Sequence, residues 1–134
     1  MQVVEPVDVE DALRVEIAAA LPDVVACAPP APDDLAPSTV CVTRLGGGPQ
    51  SPVSHEHDVS VDVWAETPAA AMALADRVQG VVASLPMRAS ASGTAWTTSD
   101  PMLPYPNPDP HRPLVPRATF RATVGARGVP ITIQ

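Results

Sequence analysis

The sequence of 134 residues contains no lysine; all eight basic residues are arginines. That absence excludes a P-loop, which needs Gly-Lys-Ser/Thr at the start of a helix, so Gly46-Gly47-Gly48 reads as a flexible hairpin turn and not as a phosphate cradle. Aromatic residues make up only 3% of the chain, and the core must be built from Val, Leu, Ile and Ala. No apolar run approaches the length of a membrane span, and the start Met1-Gln2-Val3-Val4-Glu5-Pro6 has neither the basic nor the apolar region of a secretory leader. Cysteine is confined to Cys27 and Cys41. They are expected to stay reduced in a cytosolic protein, and without a C-x-x-C spacing they make a poor zinc site.

Basic charge is also scarce. Net charge is −7 and the pI is about 4.6, and the arginines are scattered along the chain. Proteins that grip nucleic acid cluster Lys and Arg against phosphates, so tight sequence-independent DNA binding is disfavoured. What is abundant is proline: eighteen residues, too many for a helical bundle and suited to stiff connections between short elements. With 46% hydrophobic residues, a packed core is within reach, and the length fits one domain over residues 1–134.

Residues 7–21 predict a helix. Val9, Leu13, Ile17 and Leu21 recur at i, i+4, Asp8 is the expected N-cap, and Pro22 ends the helix. Residues 23–27 and 39–45 read as strands, separated by the proline-rich connection 28–37. Gly46-Gly47-Gly48-Pro49 then breaks the chain, and residues 46–57 are expected to form a mobile loop that orders against a neighbouring protein. Residues 58–66 alternate cleanly: Val59, Val61, Val63 and Ala65 on one face, Ser60, Asp62, Trp64 and Glu66 on the other. Trp64 is the odd residue of the polar face. It suits either a contact with a loop or, given the enrichment of Trp at interfaces, a subunit contact.

Thr67-Pro68 opens a second helix, with an apolar stripe from Ala71 through Leu74, Ala75, Val78, Val81 and Val82 to Leu85. A strand is expected over residues 88–96. A second proline-rich connection covers 100–116, and a further strand 117–126 points Ala118, Phe120, Ala122 and Val124 inward. The resulting order, α-β-β-β-α-β-β, predicts an α+β fold: a mostly antiparallel sheet of four to five strands with two helices packed on one face.

Catalytic and metal chemistry finds no foothold. His55 and His57 would point the same way on a strand, but no third ligand is fixed by spacing; His111 and Asp58 are only candidates, so a solvated loop is favoured over a metal site. Ser51 and Ser54-His55 lack the Gly-x-Ser-x-Gly setting of a hydrolase nucleophile. The paired Asp33-Asp34 sit in a loop with no apolar pocket to raise a pKa. The chain is therefore not expected to be an enzyme, and neither a cofactor nor a metal is expected.

The succession of motifs carries more. A helix is followed by a strand ending Thr-Arg-Leu-Gly-Gly-Gly. Next comes Val-Ser-Val-Asp-Val-Trp-Ala-Glu-Thr, running into an Ala-rich helix. Leu-Pro-Tyr-Pro-Asn-Pro-Asp then precedes Arg-Ala-Thr-Phe-Arg-Ala-Thr-Val. This order, carried mostly by residues 58–85 and 103–124, resembles tail terminator (tail completion) proteins of long-tailed phages infecting actinobacteria. The resemblance implies an α+β subunit of a hexameric ring that caps the tail tube at the head-proximal end of the virion and ends its growth. Its partners would be further copies of itself, the major tail tube protein and the head-tail connector or stopper protein, with DNA passing through unbound and no membrane involved. Another neck or head-closure subunit is the nearest alternative. A monomeric domain binding a small ligand or metal is the alternative of another class. Interface residues expected on this reading are Arg44, Gly46, Gly47, Gly48, Trp64, Tyr105, Pro106, Asp109 and Arg112. The arm 103–112 is expected either on an adjacent subunit or tube, or folded over the edge of its own sheet.

Overall fold

The computed structural model of the chain describes residues 1–35 and 37–134. Of the proline-rich connection 28–37, Ala36 lies outside the described residues. The fold is α+β. Eight strands are present among the described residues: β1 (Gln2–Glu5), β2 (Val25–Cys27), β3 (Ser38–Ser51), β4 (Ser54–Ala65), β5 (Trp96–Pro101), β6 (Tyr105–Pro106), β7 (Arg117–Arg127) and β8 (Val129–Thr132). The helices are α1 (Val9–Ala20), between β1 and β2, and α2 (Pro68–Ala83), between β4 and β5. The main sheet runs β2-β3-β4-β7-β5, with β6 alongside β7; only the β2–β3 pair is parallel. Strands β1 and β8 form a separate antiparallel ribbon.

Both helices begin where the sequence places their caps. Asp8 accepts a hydrogen bond from the Asp11 amide at 3.2 Å, and Glu10 and Asp11 put negative charge on the positive end of the helix dipole. Thr67 accepts from the Ala70 amide at 3.0 Å with Pro68 following, where its missing N–H costs nothing. Val9, Ala12, Leu13 and Ile17 of α1, and Ala71, Leu74, Ala75, Val78 and Val82 of α2, face one sheet surface made by Val40, Val42, Val59, Val61, Val63, Ala118, Phe120, Ala122 and Val124. Phe120 is the largest fully buried side chain. Each Val, Leu, Ile or Phe side chain among them contributes about 1.5–3 kcal/mol by leaving water, and each Ala less.

Two expectations need correction. Gly46, Gly47 and Gly48 are not a turn, and residues 46–57 are not a loop: β3 continues through them, pairing Gly46 with Asp58, Gly47 with His57, Gly48 with Glu56 and Pro49 with His55. The chain reverses only at Pro52-Val53, where the Ser51 and Ser54 hydroxyls lie 2.7 Å apart. Gly47 answers a packing need. Gly46 and Gly47 take φ of +147° and +139° beside a bulge at Leu45, and a Cβ on Gly47 would collide with the Glu56 carbonyl. The second correction concerns residues 88–96: the strand starts only at Trp96 and ends at Pro101. The preceding segment is held as a loop around a carboxylate described below.

Candidate functional site

The sheet has a second face, away from the helices. On β4 it carries Asp58, Ser60, Asp62 and Trp64; on β7, Arg117, Thr119, Arg121 and Thr123. Trp64 lies on this face, as alternation requires, yet it is only 3% exposed. Of the two contacts expected of Trp64, the structure has the one with a loop of its own chain. Its Nε1–H donates to Asp109 Oδ2 at 3.2 Å, and the Arg112 and Arg117 guanidiniums sit 5.7 and 5.8 Å from its ring centre. Asp109, also 3% exposed, accepts from Arg112 Nη1 at 3.1 Å and from the His111 amide at 2.9 Å. Arg112 Nη2 reaches across to the Pro32 carbonyl at 2.9 Å, and Arg117 Nε to the Asn107 carbonyl at 2.7 Å.

This clasp ties both proline-rich connections to the outer sheet face. Burial alone would raise the Asp109 pKa. The hydrogen bonds from His111, Arg112 and Trp64, and the charge of Arg117, outweigh it and hold the carboxyl below its ordinary range. Asp109 and Arg112 therefore act as internal supports of the arm.

The backbone of the second arm also stays at home. β6 pairs Tyr105 with Thr119 and Pro106 with Ala118, and the Asn107 amide donates to the Arg117 carbonyl at 3.0 Å. Of the two placements expected for 103–112, the structure has the one over its own sheet. The side chains point elsewhere: Tyr105 is 45% exposed, and Met102, Leu103 and Leu114 are more exposed still. Among the predicted interface residues, Tyr105, Pro106, Arg44, Gly46, Gly47 and Gly48 remain at the surface.

A second buried carboxylate, missed in the sequence, holds the 88–95 loop. Glu16 of α1 is 1% exposed. It accepts from Ser90 Oγ (2.9 Å), the Ala91 and Ser92 amides (3.2 and 3.1 Å), Ser92 Oγ (2.7 Å) and Trp96 Nε1 (3.0 Å), with Arg88 Nη1 at 3.6 Å. Burial opposes the charge, but the donors prevail and bring the pKa from 4.5 to about 2. A carboxylate so fully satisfied is ionised at any physiological pH and has no proton to give. The only hint in the sequence was a Glu among the apolar positions of α1.

His55 and His57 lie on the helix-side face of the β3–β4 hairpin. Pro6, Arg44, Gly46, Gly47, Gly48, Pro49, His55, Glu56 and His57 line an open cleft of about 320 Å³. His55 Nδ1 and His57 Nε2 are buried without a hydrogen-bond partner. Desolvation, then the proximity of His55 and Arg44, lower the His57 pKa against the opposing pull of Asp58. The ring centroids are 6.4 Å apart. Two imidazoles sharing a tetrahedral zinc at about 2.05 Å per bond would bring them to about 5 Å. The rings do not converge on one such point, and among the described residues no group of three His, Cys, Asp or Glu side chains gathers around a metal position.

Cys27 and Cys41 face each other across the parallel β2–β3 pair as free thiols. Burial, and then the neighbouring Cys27, push the Cys41 thiol up to about 12. No helix among the described residues is long and apolar enough to cross a membrane. Neither a protein-family model nor a curated protein sequence matches the chain.

Proposed function

We propose that the chain is a structural ring subunit of a long-tailed phage virion, capping the head-proximal end of the tail tube, ending its growth and joining it to the head connector. The observation that carries the reading is the run of motifs in 58–85 and 103–124, together with the architecture that these residues adopt. The α+β fold is the one that the resemblance implies for such a subunit. Its outer sheet face is stiffened by two proline-rich arms locked at Trp64. The second arm holds its backbone on the sheet and turns Tyr105, Leu103, Met102 and Leu114 outward, a pre-ordered apolar surface of the kind that docks without a large entropy loss.

On this reading the working form is an oligomer, a hexamer in the family resembled, whose head-to-tail contacts close a ring. The partners are the tube protein below and the connector or stopper above. The net charge of −7 suits a conduit that does not retain DNA. The chain needs neither a catalytic site nor a cofactor for this task. The interface is assigned to Tyr105, Pro106, Arg44 and Gly46–48, with Trp64, Asp109 and Arg112 as the supports that keep the arm in place.

The test is tube-length control in a reconstituted system. Adding the purified chain to polymerising major tail protein should stop elongation. Tyr105→Ala should retain the wild-type melting temperature, because Tyr105 is half exposed, but lose this activity, costing about 2 kcal/mol or more of association. Tubes that grow at an unchanged rate with saturating wild-type protein overturn the proposal.

A further inference from the structure

Proline guards nearly every open strand edge of this molecule. The direction of each backbone N–H follows from the register. In β3, Pro49 pairs with His55, a residue turned toward β7, so the face of Pro49 that lacks an N–H points away from the sheet. Pro101 of β5, opposite Ala122, and Pro106 of β6, opposite Ala118, are turned outward in the same way. In the terminal ribbon Met1 and Ile133 exchange both backbone hydrogen bonds (3.1 and 2.7 Å). Alternation then directs Val3 and Glu5 toward β8 and leaves Pro130 facing out. These edges keep other outward N–H groups, such as that of Thr132 on β8, but an outward proline takes one donor out of the ladder that a further strand would need, which is how soluble proteins discourage unwanted pairing. β2 is three residues long, with Pro22 and Pro29 close on either side.

β1 is the exception. Gln2 and Val4 direct their N–H and C=O groups outward from the ribbon, and no proline interrupts them. The ribbon also stands off from the body. Its extended contacts are between β1 and β8 themselves, and an open cleft of about 650 Å³ separates it from the start of α1 and the 91–95 loop. It is anchored where the Gly128 amide donates to the Val53 carbonyl at 2.9 Å. An isolated two-stranded ribbon is marginal in water, and three or more strands with an apolar face are needed for stability. The odd-numbered positions supply a mostly apolar face, Met1, Val3, Val129, Ile131 and Ile133 with the charged Glu5 at its end, and Val129 and Ile133 are each 47% exposed.

We propose that β1 pairs with β1 of a second copy of this chain, antiparallel about a twofold axis at Val3, giving a continuous four-stranded sheet β8-β1-β1-β8. The second copy is the occupant that the chain itself supplies, because the edge it offers in return is the one without an outward proline. The register is fixed by the same logic. Gln2 opposite Val4 uses every outward N–H and C=O of the edge, four bonds in all, and sets Val3 against Val3. A shift that sets Val4 opposite Val4 would match Gln2 with Pro6, which has no N–H to give. The pairing doubles the apolar face and removes the unguarded edge. It is a contact between two copies that uses neither the arm at Tyr105 nor the ring, and it stands or falls without the tail-cap reading.

The test is the mass of the full-length protein in solution as a function of concentration, with two proline variants. Val4→Pro deletes an outward N–H and leaves the bonds inside the ribbon intact. Thr132→Pro does the same on the β8 edge. Wild type and Thr132→Pro should dimerise alike, and Val4→Pro should weaken the dimer about tenfold or more, with two hydrogen bonds lost per dimer. Val3→Cys in a Cys27→Ser, Cys41→Ser background should oxidise to a covalent dimer. A wild-type protein that is monomeric up to about 200 μM, equal weakening by the two proline variants, or no covalent dimer from Val3→Cys overturns the proposal. If the protein dimerises as described but does not stop tube growth, the tail-cap reading falls alone.

Discussion

Replacing Glu16 by Gln separates a structural carboxylate from a dispensable one. Glu16 Oε2 receives Ser90, both donors of Ser92, and Trp96, while Oε1 receives the Ala91 amide. Gln keeps one oxygen for the first group but turns an NH₂ toward the Ala91 N–H and Arg88, so donors meet donors. A shift from 4.5 to about 2 corresponds to about 3 kcal/mol of stability from the ionised form, at 1.36 kcal/mol per pKa unit. The group is 1% exposed, so solvent screening takes little away. The folded-state pKa is the depressed one. The contribution is therefore complete above pH 4.5 and is lost as pH falls toward 2; more than half is gone by about pH 3. Urea unfolding followed by Trp fluorescence should show Glu16→Gln about 3 kcal/mol less stable than wild type at pH 7, equal to a fall in Tm of roughly 10 °C. The gap should narrow at pH 3. A variant within 0.5 kcal/mol of wild type, or a gap equally wide at both pH values, would refute the reasoning.

Other residues test other parts of the account. Trp64→Phe deletes the donor to Asp109 and should cost about 1–3 kcal/mol; Asp109→Ala strands Arg112 and Arg117 and should cost more, about 3–5 kcal/mol. Equal stability of both variants and wild type in urea would remove the clasp as a support for the arms. Gly47→Ala should destabilise the hairpin by about 2 kcal/mol or more, through its positive φ and the Glu56 carbonyl, whereas Gly48→Ala, whose Cβ meets open space, should be nearly neutral. Identical melting curves for these two variants would contradict the assigned strand path. In the folded protein a thiol reagent at pH 8 should label Cys27 first and Cys41 slowly, since a thiol pushed up to about 12 is almost wholly protonated; one shared rate, or a mass two hydrogens light, would contradict two free thiols in these surroundings.

The sequence spoke most clearly where local chemistry decides. Asp8 and Thr67 announced the helices, and Val59, Val61 and Val63 announced the inner face of β4, because caps and alternation act over a few residues. It misled where the decisive partner was distant or unusual. β1 was overlooked because Gln2–Glu5 has no local signal and pairs only with Val129–Thr132, at the far end of the chain. Gly46–Pro49 looked like a turn because glycine and proline punctuate most chains. Residues 44–49 of β3 are exposed, so this stretch needs no alternating apolar residues, and Gly47 avoids a collision with the Glu56 carbonyl of β4. Alternation puts Trp64 on the correct face but does not choose between a loop contact and a subunit contact. Nothing in the spacing reveals that Asp109, forty-five residues later, folds back onto it. The loop before Trp96 was read as strand because the donors gathering at Glu16 are ordinary serines and amides, unremarked until they converge.

The central claim is that this chain is a capping ring at one end of a tail tube. Cryo-electron microscopy of assembled tails carrying the labelled chain tests it most directly. The account predicts a closed ring of copies at the head-proximal end, absent from the tube shaft, with Tyr105 and the β3–β4 hairpin at contacts between copies or with the tube. Label along the shaft, at the opposite end, or nowhere on the particle would contradict it.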